Sequence, residues 1–277
     1  MLISHNILNR KQGTLMAKLN QLLKLSGLLI CIVAFNQVKA SDVIVQKGQL
    51  SDNIRIKSKI FNYSLQYRVY TPAGMKTSDK LPTIYLADGQ WYIGSGNMVD
   101  VLDKEISQGN IKPVIAVFVD NRDPDNLDDN RRNSQFFCNQ DYVDFYKNEL
   151  LPTIESNYPA SNKREDRVIQ GLSFGGYNAA CFGLMAHQEF GGISMQSPAN
   201  SRMLKEISER YKETKTLPVK IFLSFGKIND NQIEGRKFKS MLLDKGYEVE
   251  YKEVNFGHEW RNWGPLLDDS LRYFFSK

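Results

Sequence analysis

The pentapeptide Gly171-Leu172-Ser173-Phe174-Gly175 constrains this 277-residue chain more than any other stretch, because of what flanks it. Arg167-Val168-Ile169-Gln170 before it reads as a short buried strand, and Gly176 to Met185 after it reads as a helix of small residues. A strand that turns directly into a helix reverses too sharply for side chains at the flanking positions. Glycines belong there, and the serine hydroxyl is left projecting above the sheet. The helix N-terminus then points its free N–H groups at the place where negative charge develops. Ser173 is therefore the candidate nucleophile. The plainer alternative is a glycine-rich turn with an N-cap serine.

The first forty residues read as a targeting segment. Met16 to Lys24 forms a basic stretch, Leu25 to Phe35 is an uncharged apolar run of eleven, and Val38-Lys39-Ala40 suits signal peptidase. Ser41 is the expected mature N-terminus. The apolar run is short for a membrane span, so cleavage and no stable membrane insertion are expected. Cys31 lies in this run, but Ile30 before it lacks the small side chain of a lipoprotein site. The expectation is a soluble exported protein, periplasmic or secreted, with residues 41–277 as one α/β domain.

Five basic and no acidic residues lie in 1–40, so the remaining chain holds 31 basic and 31 acidic residues. The basic pI belongs to the targeting segment and is no footprint of nucleic-acid binding. Two cysteines remain, Cys138 and Cys181. Export permits a bridge, but Cys181 falls in the helix after Ser173 and reads as a small core residue. Two histidines and two distant cysteines offer no ligand cluster, so neither a metal nor another cofactor is expected.

Ile54 to Ile60 and Ser64 to Val69 alternate like antiparallel strands. Leu81 to Ala87 and Val114 to Val119 are continuous apolar runs, as in parallel strands covered on both faces. A helix over Asp141 to Asn157 follows, then strands at Arg167–Gln170, Gly192–Met195 and Lys220–Phe225, a helix over Gln232–Lys245, a strand at Glu248–Val254 and a last helix from Pro265 to Phe275. This alternation predicts a mainly parallel, doubly wound sheet with helices on both faces, the α/β-hydrolase arrangement, with reactive residues at the carboxyl ends of the strands.

A serine nucleophile needs a base. His187 lies fourteen residues after Ser173 along the outgoing helix, roughly 21 Å away at about 1.5 Å per residue. His258, in the Asn255 to Trp260 loop after the last strand, is the candidate that remains. The acid belongs between serine and histidine, after the penultimate strand. Asp230 in Phe225-Gly226-Lys227-Ile228-Asn229-Asp230-Asn231 is preferred, with Glu234 in reserve. The oxyanion hole needs the Phe174 N–H and a second donor. Ala87-Asp88-Gly89-Gln90-Trp91 suits the task if Gly89 turns the backbone so that the Gln90 N–H faces the site.

Three motifs in this order, Tyr85-Leu86-Ala87-Asp88-Gly89-Gln90, Gly171 to Gly176, and Gly257-His258-Glu259-Trp260 with Trp263, resemble the esterase family that contains enterochelin esterases, S-formylglutathione hydrolases, feruloyl esterases and mycolyltransferases. Arg132 to Phe136 and Phe145 to Pro152 extend the likeness, which covers roughly residues 50–275. The resemblance implies a serine esterase acting on a small-molecule ester. With its export signal the chain looks most like the exported, single-domain siderophore esterases. It also implies an arginine, Arg131 or Arg132, against an anionic substrate such as a catecholate, although so polar a loop is ordinarily solvated. Trp91 and Trp260 suit an aromatic substrate and suit the core equally well. Two departures stand out. Asn229 occupies the position where relatives carry a glutamate, which leaves a Ser–His dyad open, and Gln135 replaces a frequent acid. A feruloyl or carbohydrate esterase, an acyltransferase of the same chemistry, and a non-catalytic binding protein on this scaffold are the alternatives.

Overall fold

Nine strands build the central sheet of the computed structural model, which describes residues 44–277. The expected signal segment and its cleavage point before Ser41 lie outside the described residues. Six strands run parallel in the order β5 (Ile115–Asp120), β4 (Thr83–Ala87), β8 (Arg167–Leu172), β9 (Gly192–Gln196), β10 (Lys220–Gly226) and β11 (Glu248–Val254). On the far side of β5 the sheet turns antiparallel through β3 (Ser64–Thr71). The outer edge of β3 is shared end to end by β1 (Gln49–Leu50) and β2 (Ile54–Lys57). Among the described residues, β11 forms the opposite, open edge.

Every residue of β4, β8 and β9 is buried; β4 reads as a nearly unbroken apolar run, while β8 and β9 also bury the polar side chains of Arg167, Gln170, Ser194 and Gln196. Two separate apolar cores account for this. One face carries the helices Phe174–Met185, Ser201–Glu213 and Gln232–Asp244 together with the 140–157 segment; the other carries Gly89–Gly94, Met98–Ser107 and Leu267–Phe275. The predicted mainly parallel sheet with helices on both faces is thus observed.

Some elements differ from expectation. The 141–157 helix is three pieces, Gln140–Phe145, a wider π turn at Tyr146–Leu150, and Leu151–Asn157. Pro152 lacks the N–H that would continue the regular ladder, and the π turn absorbs the break. A polar hairpin, β6 (Arg122–Asp123) with β7 (Asn126–Asn130), and the short Arg132–Gln135 helix occupy what reads as plain loop. No helix among the described residues is long and apolar enough to cross a membrane.

Candidate active site

Ser173 stands at the carboxyl end of β8 with φ 54° and ψ −122°, a backbone conformation that L-residues rarely adopt. The turn is held by its backbone: the Ser173 N–H donates to Gln196 O at 2.9 Å, and its carbonyl accepts from Tyr177 and Ala199. Gly171 is required here by space, because a Cβ on it would run into the Gly175 carbonyl. Ser173 Oγ lies 2.9 Å from His258 Nε2, and His258 Nδ1 lies 2.5 Å from Asp230 Oδ1. Asp230 is entirely buried. A carboxylate only accepts, so the ring proton is assigned to Nδ1 and Nε2 is left to accept from the serine hydroxyl. His258 keeps 35% of its side chain exposed and rests edge-on against Trp263, with ring centroids 5.0 Å apart.

The second oxygen of Asp230 takes donors from the Gly226 N–H (2.6 Å), the Ser197 hydroxyl (2.5 Å) and the Asn262 amide (2.9 Å). Trp263 Nε1 in turn donates to Ser197 Oγ at 2.8 Å, and Asn262 also donates to the Gly257 carbonyl. A buried carboxylate is tolerable when its lone pairs are filled in this way. Ser197 and Asn262 were not singled out by sequence, and Trp263 only as part of the family motif. The available signal was the position of Ser197 just past the carboxyl end of a parallel strand. Glu234, the reserve acid, pairs with Lys237 at 3.0 Å instead. His187 lies beyond the far end of the Phe174–Met185 helix, its ring against the Leu184 carbonyl.

Gln90 and Phe174 each fall in the first turn of a helix, and among the described residues neither N–H donates to a backbone carbonyl outside its own helix. Asp88, not Gly89, makes the left-handed turn (φ 57°, ψ 40°) that begins the Gly89–Gly94 helix. The Gly89 expectation is corrected: its missing side chain is needed because a Cβ would strike the Phe118 backbone. Arg131 is tied to Asp123 and Asp129 and covers Tyr63 at 4.3 Å. Arg132 reaches inward to Asp88 at 2.9 Å and lies over Trp91, Phe174 and Phe136 at 4.9, 5.3 and 5.6 Å. Arg132 is thus turned inward, while Asp128, Asp129, Asn133 and Ser134 of the same loop stay exposed. Trp260 packs edge-on to Tyr92 and Trp263, at the margin of the second core. Among the described residues no group of three or more His, Cys, Asp or Glu could hold a metal.

Cys138 and Cys181 form a disulfide, contrary to the reading of Cys181 as only a small core residue. The bridge fastens the left-handed Phe137–Cys138 turn to the Ser173 helix, where Phe137 meets Phe174 edge-on at 5.3 Å. It closes a loop of 43 residues, for which chain entropy gives a stabilisation of about 4 kcal/mol. The double variant Cys138→Ser/Cys181→Ala is expected to melt about 10 °C lower in calorimetry, and added reductant should no longer shift its Tm.

A mostly parallel sheet with a serine at the β8 turn and a histidine and carboxylate on the loops after β11 and β10 defines an α/β-hydrolase. The family model described as "Putative esterase" matches residues 58–274, and the chain belongs to that family. It is 24% identical over 232 residues to an acetyl esterase of Caldicellulosiruptor saccharolyticus, covering 71% of this chain and 84% of that protein. It is 28% identical over 141 residues to the iron(III) enterobactin esterase of Escherichia coli K12, covering 51% of this chain but only 34% of that protein. The solved enterobactin esterase of Shigella flexneri superposes with a TM-score of 0.70 at 22% identity, over 80% of this chain and 58% of that one. A ferulic acid esterase gives 0.68 at 20% identity, over 83% and 99%. Membership of this family, with relatives named as esterases, supports an esterase function for the chain.

Proposed function

We propose that this protein is an exported serine esterase that cleaves small carboxylic esters carrying aromatic groups, siderophore trilactones among them, through an acyl-enzyme. The observation that carries this reading is the unbroken line from Ser173 Oγ through His258 to Asp230 at 2.9 and 2.5 Å. His258 Nε2 takes the hydroxyl proton as Oγ attacks the ester carbonyl. The carbonyl oxygen becomes an anion held by the N–H groups of Phe174 and Gln90. Collapse of this intermediate breaks the bond to the alkoxy group, which leaves with the proton carried by His258. Water then enters, gives its proton to His258, and releases the acid as Ser173 recovers the proton. Asp230 stabilises the imidazolium at each stage.

Trp91 and Phe174, partly exposed next to the Gln90 and Phe174 donors, favour a substrate with an aromatic group. The names of the relatives agree in part, one acting on enterobactin and another on a ferulic acid ester. A fluorophosphonate probe is expected to label the protein once, on the peptide containing Ser173. An unreactive protein would favour the binding-protein reading. On enterobactin, a feruloyl ester and a long-chain nitrophenyl ester, kcat/KM is expected to be lowest for the long chain. Fastest turnover of the long chain would overturn the aromatic preference.

A further inference from the structure

Asp88 is fully buried, yet neither carboxylate oxygen accepts a well-aligned hydrogen bond among the described residues. Its contact with Arg132 Nη2 is 2.9 Å long but lies off the N–H direction, so it acts through charge alone. Burial pushes the Asp88 carboxyl up to about 7 against the pull of Arg132, and Asp120 adds to the rise. A buried ion pair so poorly hydrogen-bonded contributes little to stability, and unpaired buried polar groups gather where geometry serves function.

The geometry here is specific. The Asp88 N–H donates to Asn121 Oδ1 at 3.2 Å; Asn121 Nδ2 donates to Gln135 Oε1 at 2.6 Å and to the Tyr142 hydroxyl at 2.8 Å. Gln135 belongs to the same helical turn as Arg132. Backbone and side chain of Asp88 are therefore both anchored to the Arg132–Gln135 turn. The Arg132 guanidinium in turn lies over Trp91, next after Gln90, and over Phe174, whose own N–H is the other donor. A Cβ on Gly175 would stand only 3.3 Å from Asp88 Oδ2, so the two donor segments abut at this carboxylate.

We infer that the Asp88–Arg132 pair is a positioning device, with Asp88 and Arg132 as positioning residues that fix the Gln90 N–H relative to the Phe174 N–H around the developing oxyanion. The inference rests on the proposed esterase reading. Asp88→Asn keeps the shape and removes the charge. Its kcat on a small aryl ester is expected to fall about 10- to 100-fold, the scale of a roughly 1 Å misplacement, with KM changed less than threefold. Binding of benzeneboronic acid, which forms a tetrahedral adduct on serine, should weaken by the same factor as kcat. Arg132→Lys should behave alike, and the double variant should lose no more than the worse single one.

An increase in KM with kcat intact would mean that Arg132 binds substrate directly, and unchanged kcat would mean a purely structural pair; either overturns the inference. End-point fluorophosphonate labelling of Asp88→Asn should still reach one per chain. A wild type that does not label defeats the esterase reading itself, which keeps the two failures apart. If circular dichroism shows Asp88→Asn unfolded, Arg132→Lys, whose altered side chain is partly exposed, carries the same kcat, KM and boronate comparison.

Discussion

Ser173→Ala is expected to lower ester hydrolysis by about 10⁵- to 10⁶-fold, the loss seen when the nucleophile of a serine hydrolase is removed, and to abolish fluorophosphonate labelling. The substitution deletes one oxygen from a turn whose backbone bonds to Gln196, Tyr177 and Ala199 do not involve the side chain. The fold should therefore survive, with a melting curve close to wild type. The residual rate should still exceed that in water, because the donors of Phe174 and Gln90 remain. Labelling that persists in Ser173→Ala would overturn the assignment.

Asp230→Asn is expected to cost about 10⁴ in kcat, on the order of 5 kcal/mol of transition-state stabilisation. The cradle of Asp230 predicts how this arises. Three donors, the Gly226 N–H, the Ser197 hydroxyl and the Asn262 amide, converge on Oδ2. They hold the amide oxygen of an asparagine in that place and turn its NH₂ group towards His258 Nδ1. Nδ1 must then accept, the ring proton moves to Nε2, and Nε2 can no longer take the proton of Ser173. A dyad reading gives a different number: if His258 needs no carboxylate, Asp230→Asn should cost less than about tenfold. A single-substrate kinetic comparison separates these outcomes.

The parts of this molecule that were legible in the sequence are those dictated by local pattern. Buried parallel strands read as apolar runs, and the Gly171–Gly175 turn declared itself through the strand and helix around it. Elimination left His258 because the only other histidine in residues 41–277 falls past the far end of a helix. The placement of Asp230 followed from chain order, and the Asn229 departure does not keep it from His258. What was not legible depends on distant pairs. Asn262 meets Ser197 across 65 residues, and Cys138 meets Cys181 across 43. Arg132 looked solvated because its neighbours in sequence are polar, yet a buried Asp88 draws it inward. The Ser201–Glu213 helix escaped notice because only Leu204, Ile207 and Tyr211 of its thirteen residues are buried, a narrow stripe in a charged segment.

The two margins of the sheet have a consequence for how these molecules meet one another. A bare strand edge is a template on which a second chain can hydrogen-bond. Along β11, Glu248, Glu250, Lys252 and Glu253 stud that margin, paired with Lys220, with each other and with Arg236 at 2.9, 3.0 and 2.7 Å. A strand laid alongside would have to bury these charges or part them. The other margin ends in strands of two and four residues, too short to register a partner. Among the described residues both margins thus carry features that oppose joining sheet to sheet, and the same charges that line a strand act as a guard against fibrous association.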